Sequence, residues 1–512
     1  MSKRMTVLLL AMALTVALAF TMAWQLPWEG GKTIWRLRNI NAAETWGSDF
    51  IAPEEEEDSL PDEEDYTPEE VRGYQLQLRL ALFSLILCGG WSVCLLVYWL
   101  TAQRLYMERI TFASIMLIGV AMICLKPAGV VCVWDENMHR TVVLDTVNTS
   151  GKPMMEWLQD LNNWAFGYLP GILGVLLGRM LSLDVMVLCM LGQLLGYALL
   201  CATAVRHAPR YKLTFFLLAM LPLNLFQACN VTYDAIVAAG MLLGVSLWLE
   251  TLERPGVALP RQLFFMAVTM TLGTLAKPAY SLALLLLWML PRERFTSKGA
   301  MWAFRGYVGF LTLWCMVCLI LPGPYEAVLG GDARFTDSSS AGQIDYILSN
   351  PLRVLGVLAD YSISSLPAAM WEGLAVWGDL NADYRLSRIY CLALLLICPL
   401  AAAGEAQGSP LTFGRRWKLA ILGYLPMLGL MLAQYVVSTE IGADSIRGMQ
   451  GRYVMPVLIL FYLTVMLPKG LRLRQILPSR LITGTVAAAS IAYMFWRLTV
   501  WLYLPIWYAA LG

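Results

Sequence analysis

The stretch "VCVWDENMHR", residues 131–140, places an Asp, a Glu, a His and an Arg directly after an apolar run. Such side chains can do acid–base chemistry: Asp135 could accept a proton, and Glu136 or His139 could orient it or contact a substrate. Arg140 is a further candidate for substrate binding. A polar loop between two membrane helices would contain the same residue types, so this stretch alone leaves both interpretations open.

A second set of polar residues interrupts apolar segments further along the chain. Asn230 and Asp234 lie in "CNVTYDAI", and Lys277 lies in "LAKPAY", within a long apolar stretch. A charged side chain at the centre of a bilayer costs roughly 2.5–3.5 kcal/mol on insertion scales, so such a residue indicates a function. Lys277 therefore calls for a partner, and an anionic ligand is the first candidate.

The segment "MQGRYV" carries a third group of candidates, because it opens an apolar run. Gly451 would let the backbone approach a ligand closely, and Arg452 offers a bidentate fork to a phosphate. Gln450 and Tyr453 would shape the same site. Cations that hold a departing phosphate, together with a carboxylate that takes a proton, suit transfer of a sugar from a lipid phosphate. A hydrolase or a proton-coupled transporter would also use carboxylates.

Composition defines the environment in which these residues act. The 512 residues are 58% hydrophobic and 14% charged, and the mean hydropathy is +0.61, whereas a soluble domain has about 25% charged residues. Repeated apolar segments predict an all-α, polytopic membrane protein of about 13 transmembrane helices. The 11 cysteines lack metal-ligand or disulfide spacing, and we expect no nucleic-acid partner.

The candidate spans are 5–24, 80–101, 109–125, 185–205, 213–229, 235–251, 262–276, 279–291, 305–322, 389–404, 419–437, 452–468 and 482–504. The first could instead be a signal peptide with a cleavage site near Ala23. Basic residues gather on alternate connections, which the positive-inside rule assigns to the cytoplasm. This places residues 131–140, 230–234, 277 and 447–453 on the opposite, extracytoplasmic face, where we expect the active site of a multi-pass cell-membrane protein.

Two segments are ambiguous, and the same charge rule decides them. Counting 164–182 as a span would invert every later connection, so we predict that it is an interfacial helix on the outer leaflet. Residues 262–291 are predicted to form a hairpin of two short helices, because Pro278 disfavours helix at the residue before it. This hairpin would place Lys277 at the outer surface.

We divide the chain into three parts. Residues 1–108 form an N-terminal helix pair whose external loop, 25–79, contains the acidic run "PEEEEDSLPDEEDYTPEE", which is too charged to bury a core. Residues 109–470 form the transmembrane core, and residues 471–512 contain a C-terminal transmembrane helix.

The order of six short motifs resembles a bacterial membrane-protein family, domain of unknown function 2142, over roughly residues 109–470. The motifs are "WDENMHR", "YLPGILGVLLGRML", "NVTYDAI", "LAKPAYSL", "QIDYILSNPLRVL" and "GMQGRYVMP". That family is similar to the C-type (GT-C) glycosyltransferases. Its first outer loop reads Pro-Asp-Glu-x-x-His, which Asp135, Glu136 and His139 match, while Trp134 replaces the proline.

The resemblance implies a GT-C-like helical bundle with interfacial helices in the first outer loop, where the catalytic Asp lies. It implies a polyprenyl-phosphate or polyprenyl-diphosphate sugar as donor, a glycan, lipid or protein acceptor, and inversion at the anomeric carbon. Asp135 would be the general base, and Lys277 and Arg452 would contact the donor phosphate. Asp135 with Asp234 could hold a divalent Mg or Mn ion, although nothing in the sequence demands one.

Two other functions share these features. A flippase or transporter for lipid-linked sugars would use the same anionic-lipid site without a base. A non-catalytic scaffold in cell-envelope assembly would use the acidic run, residues 54–70, to bind its partner.

Overall fold

The computed structural model describes residues 13–21, 79, 83, 90, 106–125, 136–148, 165–317, 338–368, 371, 388–406 and 409–465. These residues are mainly helical, and an isolated antiparallel bridge joins Ser338 to Glu440. Helical structure is the expected result for apolar segments in lipid, where every backbone polar group needs an internal partner. The predicted helices 80–101 and 482–504, the acidic run and Asp135 lie wholly or mostly outside the described residues.

The α-helices are α1 (Met107–Leu125), α2 (Glu136–Asn148), α3 (Ala165–Leu181), α4 (Val185–His207), α5 (Lys212–Ala219), α6 (Pro222–Ala228), α7 (Asp234–Glu253), α8 (Pro260–Thr274), α9 (Lys298–Val317), α10 (Ser340–Ser349), α11 (Pro351–Ser364), α12 (Arg388–Glu405), α13 (Phe413–Val437) and α14 (Leu458–Tyr462). Three 3₁₀ helices accompany them: η1 (Pro278–Met289), η2 (Arg292–Arg294) and η3 (Gly451–Val457).

Three of the described helices, α4, α7 and α13, are long and apolar enough to cross a membrane. Shorter apolar helices lie at Phe166–Leu181, Pro278–Met289, Leu396–Glu405 and Gly451–Tyr462. The all-helical membrane class predicted from the sequence is therefore confirmed for the part of the chain that the structure describes. The total of about 13 transmembrane helices and the GT-C arrangement stay predictions.

Helix α7 is the centre of the bundle and the most buried of the three. It packs against α4, α8 and η3. Gly240 on α7 faces Gly273 on α8 so closely that a Cβ added to Gly240 would lie 2.9 Å from the Gly273 Cα. At 1.5 Å per residue, α7 holds Asp234 and Glu253 about 30 Å apart, at opposite ends of the bundle.

Helix α8 and η1 form the predicted hairpin, and Lys277 lies at its tip. The Ala258 amide donates a hydrogen bond of 2.9 Å to the Arg294 carbonyl at the base, and the Lys277 amide bonds to Thr274 at the turn. The side chain of Lys277 is only 12% exposed, and its position at the outer face of the membrane stays a prediction. The tip folds against the start of α7 instead of projecting into solvent.

Helix α3 occupies most of residues 164–182, where an interfacial helix was predicted, and its position relative to the membrane stays a prediction. It runs antiparallel along the first half of α4, and its glycines replace side chains where the two backbones meet. A Cβ on Gly174 would lie 2.0 Å from the Leu188 carbonyl oxygen, and one on Gly192 would lie 2.2 Å from that of Pro170. Such small-residue seams let membrane helices approach closely, a signal that a hydropathy count does not register.

The contacts of α3 also show where it lies relative to the two ends of α7. Gly167, near the start of α3, packs on Tyr233, and Gln193 in the middle of α4 bonds to the Gly167 carbonyl. Helix α3 therefore begins level with Asp234 and extends away from Glu253. It adds no further crossing between the Asp234 end and the Glu253 end of the bundle. The end of α4 still reaches Glu250, where His207 pairs with it.

Two further predictions of secondary structure were incomplete. The predicted span 213–229 is broken into α5 and α6, because Pro222 lacks an amide hydrogen and disfavours helix at Leu221. Between the predicted spans 305–322 and 389–404, the structure describes two further helices, α10 and α11, which were not predicted. Helix α11 packs Val354 and Val357 against Tyr435 of α13.

Candidate functional site

The start of α7 carries a buried carboxylate. Asp234 is 6% exposed, and its amide donates a hydrogen bond of 3.3 Å to the hydroxyl oxygen of Thr232, which fixes the turn before the helix. An anionic side chain in the first turn is stabilised by the helix dipole. The sequence predicted a polar site here, and the structure makes Asp234 its centre.

Two cations from distant parts of the chain converge on this carboxylate. The Lys277 Nζ lies 2.6 Å from Asp234 Oδ1, and the Arg452 Nε lies 3.4 Å from Oδ2. Their side chains are 12% and 10% exposed, so both ion pairs are shielded from solvent. The hairpin tip supplies Lys277, and η3 supplies Arg452.

Aromatic faces complete what we call the Asp234 cluster, which consists of Asp234, Lys277, Arg452, Tyr233 and Tyr453. The Lys277 Nζ lies 3.9 Å from the centroid of the Tyr453 ring and 5.2 Å from that of Tyr233. The Arg452 Cζ lies 5.6 Å from the Tyr453 centroid. Cations at such distances are attracted by the aromatic face, so the rings help to hold both cations in place.

A tyrosine on the hairpin fixes the backbone of η3. The Tyr280 hydroxyl donates a hydrogen bond of 2.6 Å to the Tyr453 carbonyl. Because Tyr453 follows Arg452 directly, this bond fixes the position from which the Arg452 side chain reaches Asp234.

His139 joins α2 to the cluster. It lies on α2, is 3% exposed, and its Nδ1 contacts the hydroxyl of Tyr168 on α3. Its ring packs edge-on against Tyr233 with centroids 5.3 Å apart, and Tyr168 packs against Tyr233 at 5.5 Å. The structure therefore places His139 beside Tyr233, and a shared functional site for His139 and Asp234 stays a prediction.

The other predicted residues are placed less directly. Asn230 is buried, but its amide donates a hydrogen bond of 2.6 Å to the Phe226 carbonyl, which is a structural role at the end of α6. Gln450 is the N-cap residue of η3, and its carbonyl accepts from the Tyr453 amide. Arg140 follows His139 on α2 and is partly buried. Asp135 lies outside the described residues, and of Glu136 only its position as the first residue of α2 is described.

Sequence reasoning missed three tyrosines of this region, Tyr168, Tyr233 and Tyr280. A buried tyrosine in an apolar helix resembles ordinary core, so residue type gives no warning. For Tyr233 a signal existed, because it directly precedes Asp234 in "NVTYDAI".

The arrangement is suited to an anion better than to a divalent metal ion. Both oxygens of Asp234 face cations, which leaves this carboxylate badly placed as a metal ligand. The described residues contain no group of three His, Cys, Asp or Glu side chains that could hold a metal. A metal bound through Asp135 stays a prediction.

The fold and the apolar helices define an integral membrane protein built from helices. Residues 139–461, well over half of the chain, match the profile of the family described as predicted membrane protein (DUF2142), and the chain belongs to that family. The matched region contains His139 and the whole Asp234 cluster. Neither the curated proteins nor the solved structures contain a match to the chain.

Proposed function

We propose that this protein is a GT-C-type glycosyltransferase that moves a sugar from a polyprenyl-phosphate or polyprenyl-diphosphate donor to an acceptor. The observation that carries the proposal is the convergence of Lys277 and Arg452 on Asp234 in a buried, tyrosine-lined site. The reaction would take place on the extracytoplasmic side of the cell membrane, and would serve the assembly or modification of cell-envelope glycans.

The two cations are the proposed contacts of the donor phosphate. Lys277 has three ammonium hydrogens, and in the described part of the chain its one hydrogen bond goes to Asp234. The remaining hydrogens can bind phosphate oxygens. Arg452 presents a planar guanidinium, a group suited to bidentate phosphate recognition. Charge that develops on the departing phosphate would then be stabilised by donors that are already positioned.

Asp234 would hold the two cations at a fixed spacing before the donor binds. Without this carboxylate, two like charges would repel each other in a poorly solvated site. Asp234 is therefore proposed as the residue that positions Lys277 and Arg452. Tyr453 and Tyr233 would present aromatic surface to the donor.

Asp135 is the proposed general base toward the acceptor hydroxyl or amine. It lies four residues before His139, which packs into the cluster through Tyr168 and Tyr233. Glu136 and His139 would orient the base or contact the sugar. A carboxylate near a phosphate-binding pair provides the two functions that transfer requires, proton removal and leaving-group stabilisation.

The test uses the full-length protein in vesicles with a polyprenyl-phosphate sugar, after mass spectrometry of lipid-linked sugars in cells with and without the gene has named the donor. We expect Asp135→Asn to reduce transfer by at least about 100-fold, the usual contribution of a general base, without a change in thermal stability. Asp145→Asn, ten residues along the same segment, is the matched control and should keep full activity. A fully active Asp135→Asn protein would overturn the assignment.

A transporter or flippase for lipid-linked sugars is the second candidate, and the broken helix pair α5 and α6 favours it. Discontinuous membrane helices are typical of transporter sites, as are buried ionisable groups. Vesicles again separate the two functions. Movement of the lipid-linked sugar across the bilayer, with no transfer to an acceptor, would support the transporter and contradict the transferase.

A further inference from the structure

A pocket lies at the end of the bundle opposite to the Asp234 cluster, between the end of α4, the end of α7 and the start of α8. Its volume is about 430 Å³, within the range of roughly 300–1,000 Å³ of small-molecule sites. Its lining combines His207, Arg254 and Arg261 with Phe264 and Phe265. None of these residues belongs to the site proposed for sugar transfer.

The lining of the pocket has more basic than acidic side chains. The Glu250 carboxylate also lines it, but His207 Nδ1 already lies 2.8 Å from Glu250 Oε2. Arg254 is 3.9 Å from the other Glu250 oxygen, and its side chain is 59% exposed. Arg261 is exposed, and within the described ranges its guanidinium has no hydrogen bond or ion pair. The lining therefore contains two arginines and one carboxylate, Glu250, which already contacts His207, and this excess of positive charge favours an anionic occupant.

The apolar half of the lining continues from the cationic half along one helix face. Phe264 and Phe265 follow Arg261 by three and four residues, so the three side chains share a face of α8. The two phenylalanines are 59% and 55% exposed. A ligand that lies along this face meets a guanidinium first and aromatic surface one helical turn later.

The depth of the pocket in the bundle narrows the ligand class. The apolar helices α4 and α7 end at His207 and Glu253, and α8 starts at Pro260, so these termini mark one face of the membrane. A phospholipid has its phosphate at this level and its acyl chains deeper. Basic pockets between membrane helices bind anionic lipid headgroups.

We propose that this pocket binds an anionic phospholipid from the leaflet at this end of the bundle. Arg254 and Arg261 hold the headgroup phosphate, and Phe264 and Phe265 lie against the acyl chains. The site would anchor the bases of α7 and α8, the two elements that carry Asp234 and Lys277 at their other ends.

The experiment is native mass spectrometry of the full-length protein in detergent, titrated with phosphatidylglycerol or phosphatidylcholine. The double variant Arg254→Gln/Arg261→Gln should bind phosphatidylglycerol about tenfold or more weakly than the unchanged protein, with no change for phosphatidylcholine. Lys298→Gln/Lys418→Gln removes the same charge from exposed positions outside the pocket and should bind phosphatidylglycerol normally.

Two further arms keep the result interpretable. The single variant Arg261→Gln removes a side chain without hydrogen bonds to the described residues, so a binding loss here cannot come from misfolding. Soluble glycerol phosphate, added in excess, should leave the lipid bound. Equal phosphatidylglycerol binding by the pocket and control variants would overturn the proposal, and displacement by glycerol phosphate would identify a site for a free anion instead.

Discussion

Two buried arginines of this protein have opposite surroundings. Arg416 donates to the carbonyls of Leu411, Leu463 and Val465, at 3.1, 2.5 and 3.0 Å, and so binds main-chain carbonyls just before α13 and just after α14. Arg452 instead faces the Asp234 carboxylate and an aromatic ring. Main-chain partners define a structural role for Arg416, whereas Arg452 belongs to a group of side chains whose chemistry a ligand could use.

The same contrast separates the two ends of α7. At the Glu253 end, which comprises His207, Arg210, Glu250 and Glu253, ion pairs join partly exposed side chains. The Arg210–Glu253 distance is 2.7 Å, with Arg210 42% exposed. At the Asp234 end the charged side chains are only 8–12% exposed. Charges that water can solvate are inexpensive and weakly coupled, whereas buried charges depend on one another. Substitutions should therefore have large, coupled effects at one end and small, independent effects at the other.

The largest effect is expected for Asp234→Asn. This change leaves Lys277 and Arg452 without their shared carboxylate, and breaking a buried pair costs about 3–5 kcal/mol. Thermal unfolding in detergent should shift strongly downward, and sugar transfer should be lost. The double variant Asp234→Asn/Lys277→Met should recover part of the stability but none of the activity. An unchanged unfolding temperature in the single variant would show that the ion pairs of Asp234 with Lys277 and Arg452 do not stabilise the fold.

Glu405→Ala should have an intermediate effect on stability and none on turnover per folded molecule. The Glu405 carboxylate accepts from the amides of Leu213 and Thr214 at 2.9 Å and from the Thr214 hydroxyl at 2.8 Å, and so caps the start of α5. Loss of such a cap costs about 1–2 kcal/mol. Glu405→Gln keeps an acceptor oxygen and should lose less. Loss of turnover in a correctly folded Glu405→Ala protein would show that a charge outside the Asp234 cluster also contributes to the reaction, which would contradict the assignment of a purely structural role to Glu405.

Tyr280→Phe tests how η3 is positioned, with a stability loss of about 1 kcal/mol because one hydrogen bond to the Tyr453 carbonyl disappears. We expect the KM for the donor to rise more than kcat falls, since Arg452 would be less well fixed. The matched control is Tyr462→Phe. The Tyr462 hydroxyl is buried without a hydrogen-bond partner among the described residues, so its removal should be neutral. Equal behaviour of the two variants would argue against a positioning role for Tyr280.

The smallest effect belongs to Glu250→Gln at the far end of α7. Its carboxylate pairs with His207 and more loosely with Arg254, and these side chains are 29–59% exposed. Partly exposed pairs contribute about 0–1 kcal/mol, less at high salt. The unfolding temperature should therefore move little, and donor KM should not change. A destabilisation as large as that of Asp234→Asn would remove the contrast between the two ends.

Much of the candidate site could be predicted, because its members differ in type from their surroundings. Asp234, Lys277, Arg452 and Tyr453 were expected on one face of the membrane, and the structure brings them together. The direct pairing of Lys277 with Asp234 was not expected, and Lys277 was assigned an anionic ligand as its partner. Nothing in the local sequence around either residue shows that the hairpin tip packs beside the start of α7.

In the fold, too, some features could be predicted from the sequence and others could not. Hydropathy predicted the positions of α1, α4, α7 and α13, and the basic residues indicated which connections lie at the same end. The packing of α3 on α4 was not predicted, because a helix that packs through glycines is as apolar as one that lies on the membrane surface.

The sequence by itself determined that this is a helical membrane protein, which residues interrupt its apolar segments, and the end of the bundle to which each belongs. Apolar runs and charged connections are properties of single segments, so they can be recognised from the local sequence. Only the tertiary structure decided that Asp234 is shared by two cations, that tyrosines line the site and that α3 packs on α4. These features depend on contacts between helices distant in sequence, where packing and burial, and not residue type, select the partners.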